Sequence, residues 1–117
     1  MIQTKRVYDR HDPLDGFRIL VDRLWPRGLT KESAHVDLWL KEIAPSDALR
    51  RHFHATGDWP EFEKRYRAEL AANDKKALLA EIKALERAHK KVTLLFGRKD
   101  EKQNQAIVLA SMLKGKK

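Results

Sequence analysis

The sequence predicts a single α/β domain over residues 1–114, a small, mostly parallel sheet flanked by helices, with a basic tail at 115–117. Three observations carry that reading. The chain has 117 residues, 42% of them hydrophobic, with three Trp, two Tyr and four Phe, and chains of roughly 100 to 150 residues usually build one hydrophobic core. Two segments, Phe17-Arg18-Ile19-Leu20-Val21-Asp22 and Val92-Thr93-Leu94-Leu95-Phe96, hold continuous apolar runs typical of strands covered on both faces. The stretch between them is long and helical in pattern, which predicts a parallel pair joined by a right-handed crossover.

Each element has its own local reason. Residues 2 to 8 interleave apolar and polar side chains and read as a strand with one wet face. Asp9 to Gly16 is rich in turn residues, with Pro13 and Asp15-Gly16. That link is only about eight residues long, shorter than most parallel crossovers, so the direction of the first strand relative to the second stays open. Residues 17–22 are the expected central strand. Trp25-Pro26-Arg27-Gly28 ends regular pairing, because proline removes a donor and glycine accepts positive φ. Residues 35 to 44 fit a short strand or a helical turn.

Ser46 is placed to cap a helix that carries Leu49 and Phe53 at i, i+4. As a Pro-Ser-Asp cap it is a poor candidate nucleophile. Asp58 caps the next helix, with Pro60 in its first turn, where the missing N–H is harmless. Trp59, Phe62, Tyr66 and Leu70 then share one face, which reads as core rather than partner groove, while Glu61–Arg65 and Glu63–Arg67 form i, i+4 pairs. Asn73 or Asp74 is expected to cap a helix running to about His89, with Leu78, Ile82 and Leu85 as its stripe. Gly97 ends the second buried strand, and a last helix is expected over about Lys102 to Lys114.

Composition excludes several functions. There is no cysteine, hence no disulfide, thiolate metal site, cysteine nucleophile or iron–sulfur cluster, and no indication of redox compartment. The first twenty residues are interrupted by Lys5, Arg6, Asp9, Arg10, Asp12, Asp15 and Arg18, so no apolar leader is expected, and no stretch approaches a membrane span. A cytoplasmic protein without a membrane partner is the expectation. Phosphate-loop, dinucleotide, zincin and hydrolase-elbow motifs are absent. His52 and His54, two apart in a helix, point to different sides. Neither a metal nor a cofactor is expected. Lys and Arg number 25 against 17 Asp and Glu, a net charge of +8, but residues 91–117 hold seven basic and two acidic residues. Most of the excess therefore sits at one end and is weak support for a nucleic-acid groove.

The informative stretch is Asp22-Arg23-Leu24-Trp25-Pro26-Arg27-Gly28. Ligands in open α/β sheets sit beyond the carboxyl ends of strands, and this end carries an acid, two guanidinium forks suited to phosphate or carboxylate, and an indole face. The second buried strand ends in Gly97-Arg98-Lys99-Asp100, followed by Asn104 in the opening of the last helix, whose N–H groups favour anions. Equally, Asp22 could pair with an arginine to hold the loop, with Trp25 as a lid on the core.

Val7-Tyr8-Asp9, the run Asp15-Gly16-Phe17-Arg18-Ile19-Leu20-Val21-Asp22-Arg23-Leu24-Trp25-Pro26-Arg27-Gly28, Trp39 to Ser46 with Leu49-Arg50, and Tyr66 to Leu70 resemble the YeaO-like branch of the domain-of-unknown-function 488 group. The resemblance covers nearly the whole chain and implies a compact α/β domain without supplying an activity. It also implies that the wider group's Cys-His-Arg signature at the start of the last helix is replaced here by Gln103, Asn104 and Gln105. Its cysteine at the strand end is replaced by Phe96. Thiol or histidine chemistry therefore does not transfer, whereas the Asp22, Arg23 and Pro26 strand end does, by analogy.

Two functions from different classes follow. The first is an anionic or nucleotide-like small-molecule site, enzymatic or not, using Asp22, Arg23, Trp25, Arg27, Lys99 and Asn104, with Asp9, Asp22 or Asp100 as unranked candidate bases. The second is a nucleic-acid-binding accessory module using Lys99, Lys102 and Lys114 with the tail. Nothing in the sequence sets the oligomeric state.

Overall fold

The computed structural model describes residues 1–115; Lys116 and Lys117 of the expected tail lie outside them. Four strands, β1 (Ile2–Arg6), β2 (Phe17–Leu20), β3 (Leu38–Trp39) and β4 (Val92–Phe96), form one sheet in the order β1-β4-β2-β3. Every neighbouring pair is parallel, with Ile2 opposite Val92, Phe17 also opposite Val92, and Ile19 opposite Leu38. The direction of β1 is thereby settled. It runs parallel to β2 without touching it, because β4 slots between them. A strand position is about 4.8 Å wide, so residues 7–16 need only run back along the sheet and step two positions sideways. β2 is interior rather than uniquely central, flanked by β4 and β3, and β4 is buried at every position.

Among the described residues, five helices complete the domain: α1 (Lys31–Ala34), α2 (Asp47–Thr56), α3 (Trp59–Leu70), α4 (Asn73–His89) and α5 (Gln105–Leu113). Alternation along the strands separates two faces. Ile19, Val21, Val92, Leu94 and Phe96 join Leu49, Phe53, Phe62, Tyr66, Leu70, Ile82 and the α5 side chains in the main core. Leu20 and Leu95 turn the other way and pack with Val7, Ala34, Trp25, Leu29, Val36 and Trp39. The aromatic face of α3 is thus core. Ser46, Asp58 and Asn104 accept N–H bonds from Leu49, Glu61 and Ile107 at 3.2, 3.2 and 3.1 Å. Ser46 is a structural cap, and its hydroxyl also donates to Glu69 at 2.6 Å.

Several expected boundaries move, with β1 ending at Arg6 rather than residue 8 and β2 at Leu20 rather than Asp22. α4 starts at Asn73 with Ala72 in the cap position and no side-chain cap. α5 starts at Gln105, because the Asp100 carboxylate captures the N–H groups of Lys102 and Gln103 at 2.9 and 3.0 Å and holds that segment as a turn. Residues 35–44 contain both alternatives, the short β3 and a single 3₁₀ turn at Lys41–Ile43.

The second face is polar near the start of β2. Arg18, only 2% exposed, is among the largest fully buried side chains. It pairs with buried Asp15 and donates to the carbonyls of His35 and Ala34 at 2.8 and 3.0 Å. Asp15 also accepts from Lys5 at 3.0 Å and Gln3 at 3.2 Å, while its carbonyl accepts from the Thr93 hydroxyl at 2.6 Å. Every partner of this pair is already used, so removing one member strands a buried charge. Asp15→Ala should cost about 3–5 kcal/mol in urea denaturation, and adding Arg18→Met should recover part of that loss. A double variant as unstable as the sum of the singles would contradict this account.

Candidate functional site

The carboxyl ends of β2 and β4 lie side by side because the Val21 N–H still donates to the Leu95 carbonyl at 3.0 Å. The next residue, Asp22, accepts the Gly97 N–H at 2.8 Å through one carboxylate oxygen and the Gln105 side-chain amide through the other. It thereby joins the end of β2, the end of β4 and the first turn of α5. A Cβ on Gly97 would lie 2.9 Å from Asp22 Oδ2, so any larger residue here would have to push the carboxylate from its place. Burial raises the Asp22 carboxyl from its ordinary 3.8 to about 6, partly offset by the hydrogen bonds from Gly97 and Gln105. Arg23 does not pair with Asp22. Its guanidinium turns the other way and donates to the carbonyls of Pro45 and Ala44 at 3.1 and 3.3 Å.

Between these strand ends and α2 opens a cavity of about 670 Å³, within the roughly 300–1,000 Å³ usual for small-molecule sites. Arg98, Lys99 and Asp100 line it from the loop after β4, and Arg50, Phe53 and His54 from α2. The Arg98 guanidinium lies over the Phe53 ring at 4.3 Å from its centroid, and its buried Nε has no hydrogen-bond partner among the described residues. Asp100 lines the rim with its carboxyl held below the usual value by the N–H groups of Lys102 and Gln103.

The structure divides the expected site residues. Asp22, Arg23 and Lys99 line the cavity; Trp25, Arg27 and Asn104 do not. Trp25 sits in the opposite-face cluster, edge-on to Trp39 with centroids 5.4 Å apart, and donates to the Leu29 carbonyl at 2.6 Å. Arg27 is exposed and contributes only its carbonyl, which accepts from Tyr8 at 2.9 Å. Asn104 is fully buried, with Oδ1 committed to the α5 cap and Nδ2 to the Asp100 carbonyl at 2.9 Å. Of the candidate bases, Asp22 and Asp100 reach the cavity, whereas Asp9 does not line it.

Sequence reasoning named Arg98 in the strand-end run without counting it among the site residues, and it missed Gln105 and the α2 wall. One signal was present, since Arg50, Phe53, His54 and Gly57 follow the i, i+3, i+4, i+7 spacing of one helix face. Among the described residues, no group of three or more acidic or histidine side chains is arranged to hold a metal.

Over residues 1–117 the chain matches the family described as the inactive DUF488-N3 subclade. It is 47% identical over 116 residues to the uncharacterised protein YeaO of Escherichia coli K12, covering 97% of this chain and 96% of that protein. It is 38% identical over 116 residues to uncharacterised proteins of Mycobacterium bovis and Mycobacterium tuberculosis, covering 98% of this chain and 95% of theirs. No solved structure matches it.

Two outcomes follow from the Asp22 geometry. Gly97→Ala should destabilise by about 1–3 kcal/mol through overpacking against the carboxylate, read as a lower urea midpoint. Because folding raises the Asp22 value, the neutral carboxyl is the form the fold favours. Its contribution is complete below about pH 4 and is lost as pH rises through about 6. Asp22→Asn removes that loss. Between pH 4 and 7.5 the variant should gain on the wild type by up to about 3 kcal/mol, at 1.36 kcal/mol per pKa unit; a difference that does not vary with pH would sink this reading.

Proposed function

We propose that this chain, which belongs to the inactive DUF488-N3 subclade, binds a small anionic ligand of nucleotide-like size in the cavity at the carboxyl ends of β2 and β4. The observation that carries the reading is Arg98. Its Nε is buried without an acceptor, a condition that costs about 1–3 kcal/mol, and a phosphate or carboxylate oxygen would supply the missing partner. Lys99, Arg50 and His54 add donors around the same opening. Asp22, satisfied by Gly97 and Gln105, is left with the capacity to accept a ligand hydroxyl.

Binding without covalent chemistry fits the residues better than catalysis. The chain has no thiol, and positions 103–105 carry amides, of which Asn104 caps α5 and Gln105 holds Asp22. The family's description as inactive agrees with that composition. The nucleic-acid reading draws on Lys99, Lys102 and Lys114, but α5 spans about 14 Å at 1.5 Å per residue between the last two. No observation favours that reading over the cavity.

Thermal shift and calorimetry with millimolar phosphate, sulfate and adenosine monophosphate test the proposal. At least one anion should raise the melting temperature by several degrees, since ligand at 100 times Kd adds about 2.7 kcal/mol. Arg98→Met should weaken that anion at least tenfold, and Arg27→Ala, outside the cavity, should leave it unchanged. No shift with any of the three anions would refute the proposal.

A further inference from the structure

We infer that the anion bound here carries a flat apolar body, an aryl ring or a nucleobase, and that its charged and apolar parts meet different walls of the cavity. This rests on the anion-binding reading above and adds the class of molecule. The walls differ in what they demand. The loop after β4 and one face of α2 present Arg98, Lys99, Asp100, Arg50 and His54, with the Phe53 ring beneath Arg98. The lining also includes Leu24, Ala44 and Pro45, and the backbone polar groups of Ala44 and Pro45 are already satisfied. The Ala44 N–H donates to the Lys41 carbonyl at 3.2 Å, Pro45 has no N–H, and both carbonyls are taken by Arg23.

Arg23 therefore converts a stretch of loop backbone into an apolar surface, which a ligand satisfies by contact rather than by hydrogen bonds. Leu24 makes the same demand from the rim. It is 63% exposed and, among the large exposed hydrophobic residues described, it is the one that lines this cavity. Size points the same way. A bare oxyanion is comparable to a few waters at about 30 Å³ each, so it would leave most of about 670 Å³ filled with solvent against apolar walls.

Isothermal titration of the full chain with phenyl phosphate, adenosine monophosphate, adenosine, ribose 5-phosphate and inorganic phosphate reads this directly. At least one ring-bearing phosphate should bind tenfold or more tightly than both inorganic phosphate and ribose 5-phosphate, a difference of about 1.4 kcal/mol. Leu24→Ser changes an exposed side chain, and its fold is checked by circular dichroism. It should reduce the ring's advantage severalfold while leaving inorganic phosphate unchanged.

The outcomes separate the two claims. If inorganic phosphate binds as tightly as both ring phosphates, the apolar-body inference is overturned and the anion site stands. If Leu24→Ser leaves the ring's advantage intact, the assignment of the walls is overturned. If adenosine binds as well as its monophosphate, or if no phosphate binds, the anion site itself fails. A preference for the nucleotide over phenyl phosphate would identify a nucleobase as the flat body, and the reverse preference a simple aryl group.

Discussion

The buried Asp15–Arg18 pair is the interaction on which the arrangement of this domain depends. An all-parallel sheet in the order β1-β4-β2-β3 requires the link between the first two strands to leave a gap one strand wide for β4. Asp15 closes that link from within. Its carboxylate gathers Lys5 from β1 and Arg18 from β2, and its carbonyl takes the Thr93 hydroxyl of β4. Through the same guanidinium, the carbonyls at the end of α1 are fastened to the sheet. Buried ion pairs are weak sources of net stability but costly to break. This one therefore acts mainly by making other packings of the two crossovers unfavourable.

With the strands held in that order, the ends of β2 and β4 are adjacent, and the rest of the site follows from how each polar group is satisfied. Asp22 is drawn to the Gly97 N–H, which glycine leaves accessible. Arg23, deprived of that partner, settles on two loop carbonyls. Arg98 reaches the Phe53 ring and is left with an unpartnered donor. At these two strand ends the cavity thus contains one acid tuned by burial, one arginine spent on structure and one arginine with an unpartnered donor. Their adjacent positions at two strand ends give no hint of this division.

The legible parts of the fold were those with local causes. Ser46, Asp58 and the i, i+4 pairs of α3 behave as their spacing requires, and the two apolar runs supply the interior strands at 17–20 and 92–96. Boundaries moved where a side chain competed with the helix backbone, as Asp100 does before α5. Site membership was legible only in part. Asp22, Arg23 and Lys99 reach the cavity because strand ends project their loops there. Trp25 and Asn104 lie outside the cavity because an indole and a buried amide find structural partners as readily as ligands.

What the sequence by itself determined, then, is the set of elements and the end of the sheet at which to look for a ligand, since periodicity, caps and turn residues act over a few positions. Tertiary structure decided the neighbours. It inserted β4 between β1 and β2, joined Asp22 to Gly97 and Gln105, 75 and 83 residues away, and chose Arg98 over Arg27 as the guanidinium facing the cavity. The physical reason is that a buried donor or acceptor takes whichever partner the packed chain brings within hydrogen-bond reach. That partner comes from sequence too distant for any local pattern to record.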